Sequence, residues 1–300
     1  MKIESSHTHV SSMAKQKSVL AYFKEKGRRT IGSRIEYYEK LVDRFLLKPE
    51  LTDSEAWSLA ELQELYVVIH GARKDKRIDD QTLKCLKGAH TLDDENSKNS
   101  GNAARNITFE LYIASKMVIF GADVSIPPFG TGADILFTCD EKKVPIECKR
   151  LYAQGRVGQL MQDACSQVSS RVDDGSFGIA AISLTREFWA SHSSSVIESV
   201  DEARIAAEQL YLTWRAKAAE MLATYPKVAL IYIHIYLPCV GEDNRFTVYE
   251  REFYRTRKNY EGLSEAAIVD DFERVMRSIG IADAIGSRFP ETSATVNGAS

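Results

Sequence analysis

The sequence predicts an α/β fold in which a mixed central β-sheet is flanked by helices and preceded by a helical N-terminal region. Three observations support this prediction. Up to about residue 90, apolar residues recur at three- and four-residue spacing, as on one face of a helix. Short apolar segments typical of strands then begin at Ala122, Ala133 and Val144. Beyond them, helical and apolar segments alternate, as they do where helices connect parallel strands.

Length and composition favour one main domain with an appendage. The 300 residues are 44% hydrophobic, which is enough to bury a sizeable core. The formal net charge of −3 provides no globally basic surface, so a nucleic acid would have to be bound by local patches. The five cysteines form no CxxC pair and no Cys/His zinc spacing, which favours a reducing, cytoplasmic compartment. No apolar run is long enough to span a bilayer, so we expect no membrane contact.

Changes in composition divide the chain into regions. These are a disordered lead at residues 1–16, a helical region at 17–91, a polar linker at 92–102, the main domain at 103–285 and a flexible tail at 286–300. In the helical region, Ser54 is a candidate N-cap. The basic run from Arg73 to Arg77 is a candidate nucleic-acid contact, although most such runs are simply solvated.

The main domain is expected to begin with a helix and three short strands. The helix covers residues 103–120 and ends at Gly121, because glycine readily adopts the backbone of a helix C-terminus. The strands have the sequences ADVSIP, ADILFT and VPIECK. A helix over about residues 156–172 then leads to the apolar run GIAAISL, a pattern typical of a crossover. A long helix within residues 195–224, the strand VALIYIHIYL and a candidate strand RFTVYERE complete the sheet.

A tight hairpin between the second and third strands would bring two carboxylates together. If its turn is centred between Asp140 and Glu141, Asp134 lies opposite Glu147, and opposed residues share a sheet face. Lys149 is two residues beyond Glu147 and therefore points the same way. The alternate residues form an apolar side. A turn with an odd number of residues would break this register, so the inference depends on the turn.

Paired carboxylates beside a lysine suit metal-dependent hydrolysis of phosphodiesters. Without a cation the carboxylates of Asp134 and Glu147 repel each other, whereas Mg²⁺ binds such oxygens directly. The metal would lower the pKa of a bound water, and Lys149 could position that water or offset developing negative charge. The main-chain carbonyl of Cys148 is a candidate further ligand. The alternative is a solvated hairpin that carries ordinary surface charges.

Glu110 provides a second indication of the same site. It lies on the apolar face of the helix, three residues after Ile107 and four before Ala114. A buried carboxylate is costly unless it is paired or bound to a metal, so the helix is expected to bring Glu110 to the metal. An ion pair with a buried arginine or lysine is the alternative that the sequence leaves open.

These segments resemble the PD-(D/E)xK, or restriction-endonuclease-like, superfamily over about residues 102–184. The resemblance is carried by GADILF around Asp134 and PIECKR around Glu147 and Lys149, between helices that contain RNITFEL and DACSQ. It implies that Asp134 and Glu147 bind Mg²⁺, which Mn²⁺ can replace, that Lys149 assists the attacking water and that Glu110 supports the metal. It also implies that Gln167 positions the substrate, although Gln159 and Gln162 are on the same helix. The P of the family name denotes a proline before the aspartate, and this chain has Ala133 at that position.

The resemblance implies a metal-dependent nuclease that acts on nucleic acid, with DNA favoured, in restriction, repair or defence against foreign DNA. A non-catalytic binding or assembly module with the same fold is the alternative, and the intact site residues count against it. Glu141 and Lys143 repeat the ExK spacing in the polar turn, but no apolar strand surrounds them. His234 is expected to be a strand-face residue rather than a base. Three roles stay open for the N-terminal helices: DNA recognition, control of access, and assembly with a partner or a second copy.

Overall fold

The computed structural model describes residues 17–27, 31–47, 51–86, 90, 102–128, 132–151, 155–173, 175–191, 196–240, 246–256 and 263–277. The predicted lead at 1–16 and the predicted tail at 286–300 lie outside these residues. Of the predicted linker, only Asn102 is described, and it is the first residue of a helix.

The N-terminal part of the described chain is helical, as the sequence predicts. Its elements are α1 (17–25), α2 (Arg34–Leu47), α3 (Asp53–Lys74), α4 (Lys76–Gln81) and a 3-10 helix (Thr82–Leu86). The N-cap of α3 is Thr52, so the prediction of Ser54 was wrong by two residues. The Thr52 side chain accepts a hydrogen bond from the Glu55 amide, and the Glu55 carboxylate accepts one from the Thr52 amide. This reciprocal pair satisfies two amides that a cap at Ser54 would leave without partners.

The rest of the described chain alternates helices and strands. The elements are α5 (Asn102–Ile119), β1 (Val124–Ser125), β2 (Ile135–Cys139), β3 (Lys142–Arg150), α6 (Val157–Arg171), β4 (Gly178–Ser183), α7 (Thr185–Ser191), α8 (Val200–Thr224), β5 (Val228–Val240), β6 (Phe246–Thr256) and α9 (Leu263–Arg277). The sequence predicted all of these except α7 and α9. The first strand is shorter than predicted, because only Val124 and Ser125 pair with β2.

The six strands form one mixed sheet in the order β1-β2-β3-β4-β5-β6. The strands β3, β4 and β5 are parallel, and the pairs β1/β2, β2/β3 and β5/β6 are antiparallel. Helix α6 connects β3 to β4, and α8 precedes β5, so both act as crossovers between parallel neighbours. The predicted α/β fold with a mixed sheet flanked by helices is therefore confirmed.

The β2/β3 hairpin has the predicted register. Ile135 pairs with Ile146 and Cys139 with Lys142, which leaves a two-residue turn. The turn residues Asp140 and Glu141 have φ angles of 47° and 64°. Two consecutive positive φ values are typical of hairpin turns whose twist matches that of the strands.

Helices cover both faces of the sheet. On one face, Trp57 of α3 packs against Tyr236 of β5 with ring centroids 6.4 Å apart, and Phe109 of α5 stacks on His234 at 5.8 Å. Helices α6 and α8 pack on the opposite face. Helices α3 and α5 also approach each other closely at Gly71. A Cβ atom at this position would lie only 2.3 Å from Ser115 Oγ, so only glycine fits there. The N-terminal helices thus share a hydrophobic core with the sheet.

A buried network of ions joins α3 to its neighbours on that first face. The carboxylate of Glu61 accepts a hydrogen bond from Arg105 Nε at 2.5 Å and one from the Tyr38 hydroxyl. The guanidinium groups of Arg34 and Arg150 lie 3.7 Å and 3.5 Å from it. The network therefore connects α2, α3, α5 and β3. Within the described part of the chain, no helix is long and apolar enough to cross a membrane.

Candidate active site

The hairpin brings Asp134, Glu147 and Lys149 together. Asp134 directly precedes β2, and its Oδ2 accepts a hydrogen bond from the Cys148 amide at 2.8 Å. Glu147 is completely buried in β3. Lys149 Nζ lies 3.9 Å from Asp134 Oδ2 and 3.9 Å from Glu147 Oε2, between the two carboxylates. The structure therefore places these three side chains on one face, as the register of the hairpin predicts.

Arg171, in the last turn of α6, forms an ion pair with Oε1 of Glu147. The other oxygen, Oε2, is buried and accepts no hydrogen bond from any residue in the described ranges. Burying a charged oxygen without a hydrogen bond is unfavourable. Glu147 is thus half satisfied, and a cation at Oε2 would complete its surroundings.

A cavity of about 200 Å³ opens beside these residues. Its polar lining consists of Gln81, Lys84, Glu110, Asp134, Lys149, Gln167 and Arg171. Glu110 reaches it from α5 and Gln167 from α6, although these helices pack on opposite faces of the sheet. Gln167 is the glutamine of α6 that lines the cavity, whereas Gln159 is exposed and donates a hydrogen bond to Asp163.

Glu110 is partly exposed to this cavity, whereas its position on the apolar helix face predicted burial. Glu110 differs from that prediction because it lines the cavity, whose wall also includes Pro127 and Gly132. No residue in the described segments forms an ion pair with Glu110, so the alternative of a structural ion pair has no support there.

The carboxylates of the cavity hold more negative charge than the nearby cations offset. Burial, and then the negative charge of Asp134, raise the pKa of Glu147 to about 7 against the opposing effects of Arg171 and Lys149. The same two causes, in the same order, raise the pKa of Glu110 to about 8. Carboxylates that gain protons this easily would bind a divalent cation instead.

The thiol of Cys148 faces the opposite side of the hairpin and is buried. Burial raises its pKa well above the usual range, and the charges of Asp134 and Glu110 raise it further. The thiol is therefore protonated and unsuited to bind a metal. The main-chain carbonyl is the group of Cys148 that is left as a candidate ligand.

The donor atoms suit Mg²⁺ in chemistry, although they are not gathered as a finished metal site. Among the described residues, no three His, Cys, Asp or Glu side chains converge closely enough to hold a metal ion. Mg²⁺ is nevertheless commonly bound by one or two carboxylates together with waters and substrate phosphates. The buried Oε2 of Glu147 beside Asp134 fits that mode of binding, and Glu110 lines the same cavity.

Three polar residues of the cavity were not predicted. Arg171 lies four residues after Gln167 on α6, so helical spacing places both on one side of the helix and could have indicated it. Gln81 and Lys84 belong to the N-terminal helices, and no local pattern links them to the hairpin. The second ExK motif lies elsewhere, because Lys143 contacts Thr138 at 2.6 Å and Asp123 at 3.3 Å.

Comparisons with known proteins returned no match to any protein-family model, curated protein or solved structure. The resemblance to the PD-(D/E)xK superfamily stays a prediction that depends on the residues of the site.

Proposed function

We propose that this chain is a metal-dependent nuclease with a restriction-endonuclease-like core, and that it hydrolyses phosphodiester bonds, with DNA as the favoured substrate. The observation that carries the proposal is the meeting of Asp134, Glu147 and Lys149 on one face of the hairpin. Asp134 and Lys149 also line a cavity that Glu110 reaches from α5. An ordinary surface hairpin would not bury Glu147 or raise its pKa. Roles in restriction, repair or defence, and a cytoplasmic location, follow from the resemblance and belong to the proposal.

Asp134 and Glu147 would hold the Mg²⁺ or Mn²⁺, with the Cys148 carbonyl and Glu110 as additional or water-mediated contacts. The ion supplies a Lewis acid that lowers the pKa of water and offsets charge on the phosphate. Lys149 is placed to orient the attacking water by hydrogen bonding and to stabilise negative charge that develops on the phosphate oxygens. Gln167, an uncharged donor and acceptor on the opposite wall, can hydrogen-bond the substrate without altering that charge.

Arg171 has a distinct part in this arrangement. Its ion pair with Glu147 offsets the cost of a buried carboxylate, and so favours the ionised form that binds cations. The pair engages only Oε1, which leaves Oε2 directed towards Lys149. Arg171 is therefore a positioning residue for Glu147.

The test is cleavage of supercoiled, linear and single-stranded DNA with Mg²⁺, Mn²⁺ or EDTA. We expect cleavage that requires the metal. Asp134→Asn and Glu147→Gln should each lower the rate by at least about 100-fold, a typical effect of removing one electrostatic contact to the transition state. Glu141→Gln, in the second ExK motif, is the matched control and should cleave at the wild-type rate.

Melting temperatures distinguish loss of chemistry from loss of fold. Both active-site variants should melt in EDTA at or slightly above the wild-type temperature, because each removes a repelling carboxylate. Cleavage by both variants at the wild-type rate would refute the assignment. Binding of DNA by the wild-type chain without any cleavage would favour the non-catalytic module instead.

A further inference from the structure

The N-terminal helices supply two side chains to the cavity. Gln81 is the last residue of α4, and Lys84 lies in the 3-10 helix that follows. Both line the same cavity as Asp134 and Lys149. The region whose role the sequence left open therefore forms part of the wall of the proposed active site.

The segment that carries Lys84 is held firmly in place. The Thr82 hydroxyl donates a hydrogen bond to the Asp79 carbonyl at 2.7 Å, and the Cys85 carbonyl accepts one from Arg34 Nε at 2.7 Å. Thr82, Cys85 and Leu86 are buried, whereas Lys84 is exposed. Burial of its neighbours thus fixes the backbone, and Lys84 is the residue of the 3-10 helix that lines the cavity.

The cavity has basic residues on two sides and carboxylates between its walls, a distribution of charge that suits a polyanion. Lys84 stands on the side of the 3-10 helix and α5, and Arg171 stands on the side of α6, which packs on the other face of the sheet. The carboxylates of Glu110 and Asp134 lie in the same cavity. Acidic groups repel phosphates, so a nucleic-acid strand needs cations beside the acidic centre to enter it. Lys84 provides such a cation on the side of the cavity that the N-terminal helices form.

The basic run from Arg73 to Arg77 is a weaker candidate for this task. Lys74 Nζ donates a hydrogen bond to the Ile119 carbonyl at 3.1 Å, and Arg77 binds the Asp75 carboxylate through Nη2 at 2.5 Å. Arg73 lies over the Tyr22 ring. None of the basic residues of this run lines the cavity. The position of Lys84, rather than the density of basic residues, selects it.

We propose that Lys84 binds a phosphate of the substrate strand next to the scissile one, with Gln81 beside it, so that the N-terminal helices complete the substrate site. This inference rests on the proposed nuclease function. Lys84 contributes to the affinity for nucleic acid and not to the chemical step. Its loss should therefore raise Kd and KM and leave kcat unchanged.

The test measures binding of fluorescent double-stranded and single-stranded DNA to the full chain by anisotropy, with Ca²⁺ in place of Mg²⁺. For the form that the wild type binds, Lys84→Ala should raise Kd about tenfold, as expected for one charged hydrogen bond. The slope of log K against log salt should become shallower by about one. Lys84→Arg should retain both values. Lys40→Ala, at an exposed lysine of α2 outside the cavity, is the matched control and should leave both values unchanged.

The outcomes separate this inference from the function on which it rests. Equal affinities and salt slopes for Lys84→Ala and Lys40→Ala, in a chain that does cleave DNA, would overturn only the role of Lys84. A fall in kcat with unchanged Kd would also overturn it, because Lys84 would then act on the chemical step. A wild-type chain that neither binds nor cleaves DNA would overturn the nuclease function itself.

Discussion

Two buried carboxylates, Glu61 and Glu147, lie on opposite faces of the sheet, and their surroundings differ. On the face that α3 and α5 cover, Glu61 is surrounded by Arg34, Arg105 and Arg150. Burial alone would raise its pKa, but Arg105 and Arg34 outweigh that effect and lower the pKa to about 2. In the hairpin cavity, the cations do not outweigh burial and mutual repulsion, and the pKa of Glu147 rises to about 7.

The different surroundings of Glu61 and Glu147 suggest different tasks for the two buried charges. A carboxylate that several guanidinium groups satisfy has little to gain from a further ligand, so the Glu61 network serves to hold helices and sheet together. Glu64, which pairs with Arg150 in that network, also has a raised pKa and a buried Oε1 that accepts no hydrogen bond in the described part of the chain. What distinguishes Glu147 is its place beside Asp134 and Lys149, which line a cavity that a cation could enter. One fold thus contains both kinds of carboxylate. Substitution at Glu61 should lower stability, whereas substitution at the hairpin site should lower activity.

The largest effect on stability is expected from Glu61→Gln. The change leaves three arginines facing a neutral amide in a buried site, which should lower the free energy of unfolding by about 3–5 kcal/mol. Urea denaturation measures it. Glu220→Gln, which removes a surface pair with Lys217, is the control and should change stability by less than about 0.5 kcal/mol. Equal values for the two variants would show that the network does not stabilise the fold.

In the cavity, Lys149→Ala should impair catalysis without unfolding the chain. We expect kcat to fall by about 100- to 1,000-fold, because Lys149 acts on the water or on the developing charge. Calorimetry should still detect Mn²⁺, since the carboxylate ligands remain. Lys143→Ala, in the second ExK motif, should leave kcat unchanged. Loss of Mn²⁺ binding together with activity would contradict this division of roles.

The smallest effect concerns the dependence of stability on pH in EDTA. The pKa of Glu61 falls from 4.5 to about 2 on folding, so its contribution is present above pH 4.5 and is lost as the pH falls towards 2. The pKa of Glu110 rises from 4.5 to about 8, so its contribution is present below pH 4.5 and is lost as the pH rises through 8. The two carboxylates therefore affect opposite ends of the profile.

Glu110→Gln should accordingly match the wild-type melting temperature near pH 4.5 and exceed it at pH 8, by a few degrees or less. Glu147 titrates in the same range, so the variant removes only part of the slope. Melting curves in EDTA across this range measure the difference. A variant that melts well below the wild type at both pH values would mean that Glu110 is a structural residue.

The sequence was sufficient for the features that depend on local periodicity. The face shared by Asp134, Glu147 and Lys149 could be predicted because a two-residue turn preserves the alternation of sides along both strands. The crossover through α6 followed from a helical pattern between two apolar runs. Ser54 failed as a cap because Thr52 also precedes the helix and pairs with Glu55, a choice between neighbours that propensity does not resolve.

Contacts between distant segments could not be predicted in this way. The ion pair of Arg171 with Glu147 depends on how α6 packs against β3, and the place of Lys84 depends on how the 3-10 helix packs beside α5. The exposure of Glu110 depends on the cavity that α5 shares with residues near β2, such as Gly132 and Asp134. Each of these is decided by three-dimensional packing, which residue spacing along one chain does not encode.

The packing of Trp57 against Tyr236 has a consequence for synthesis of the chain. Helix α3 leaves the ribosome long before β5, so the part of its apolar face that contacts β5 has no partner there until most of the chain has been translated. Contacts between such distant segments make folding slow. Helix α5, which carries Glu110, packs beside α3 and also contacts β5 through Phe109 and His234, so its final position depends on the same late step. Under the proposed function, a nascent chain would therefore carry no cutting activity until β5 is made, which protects nucleic acid near the ribosome from incomplete copies.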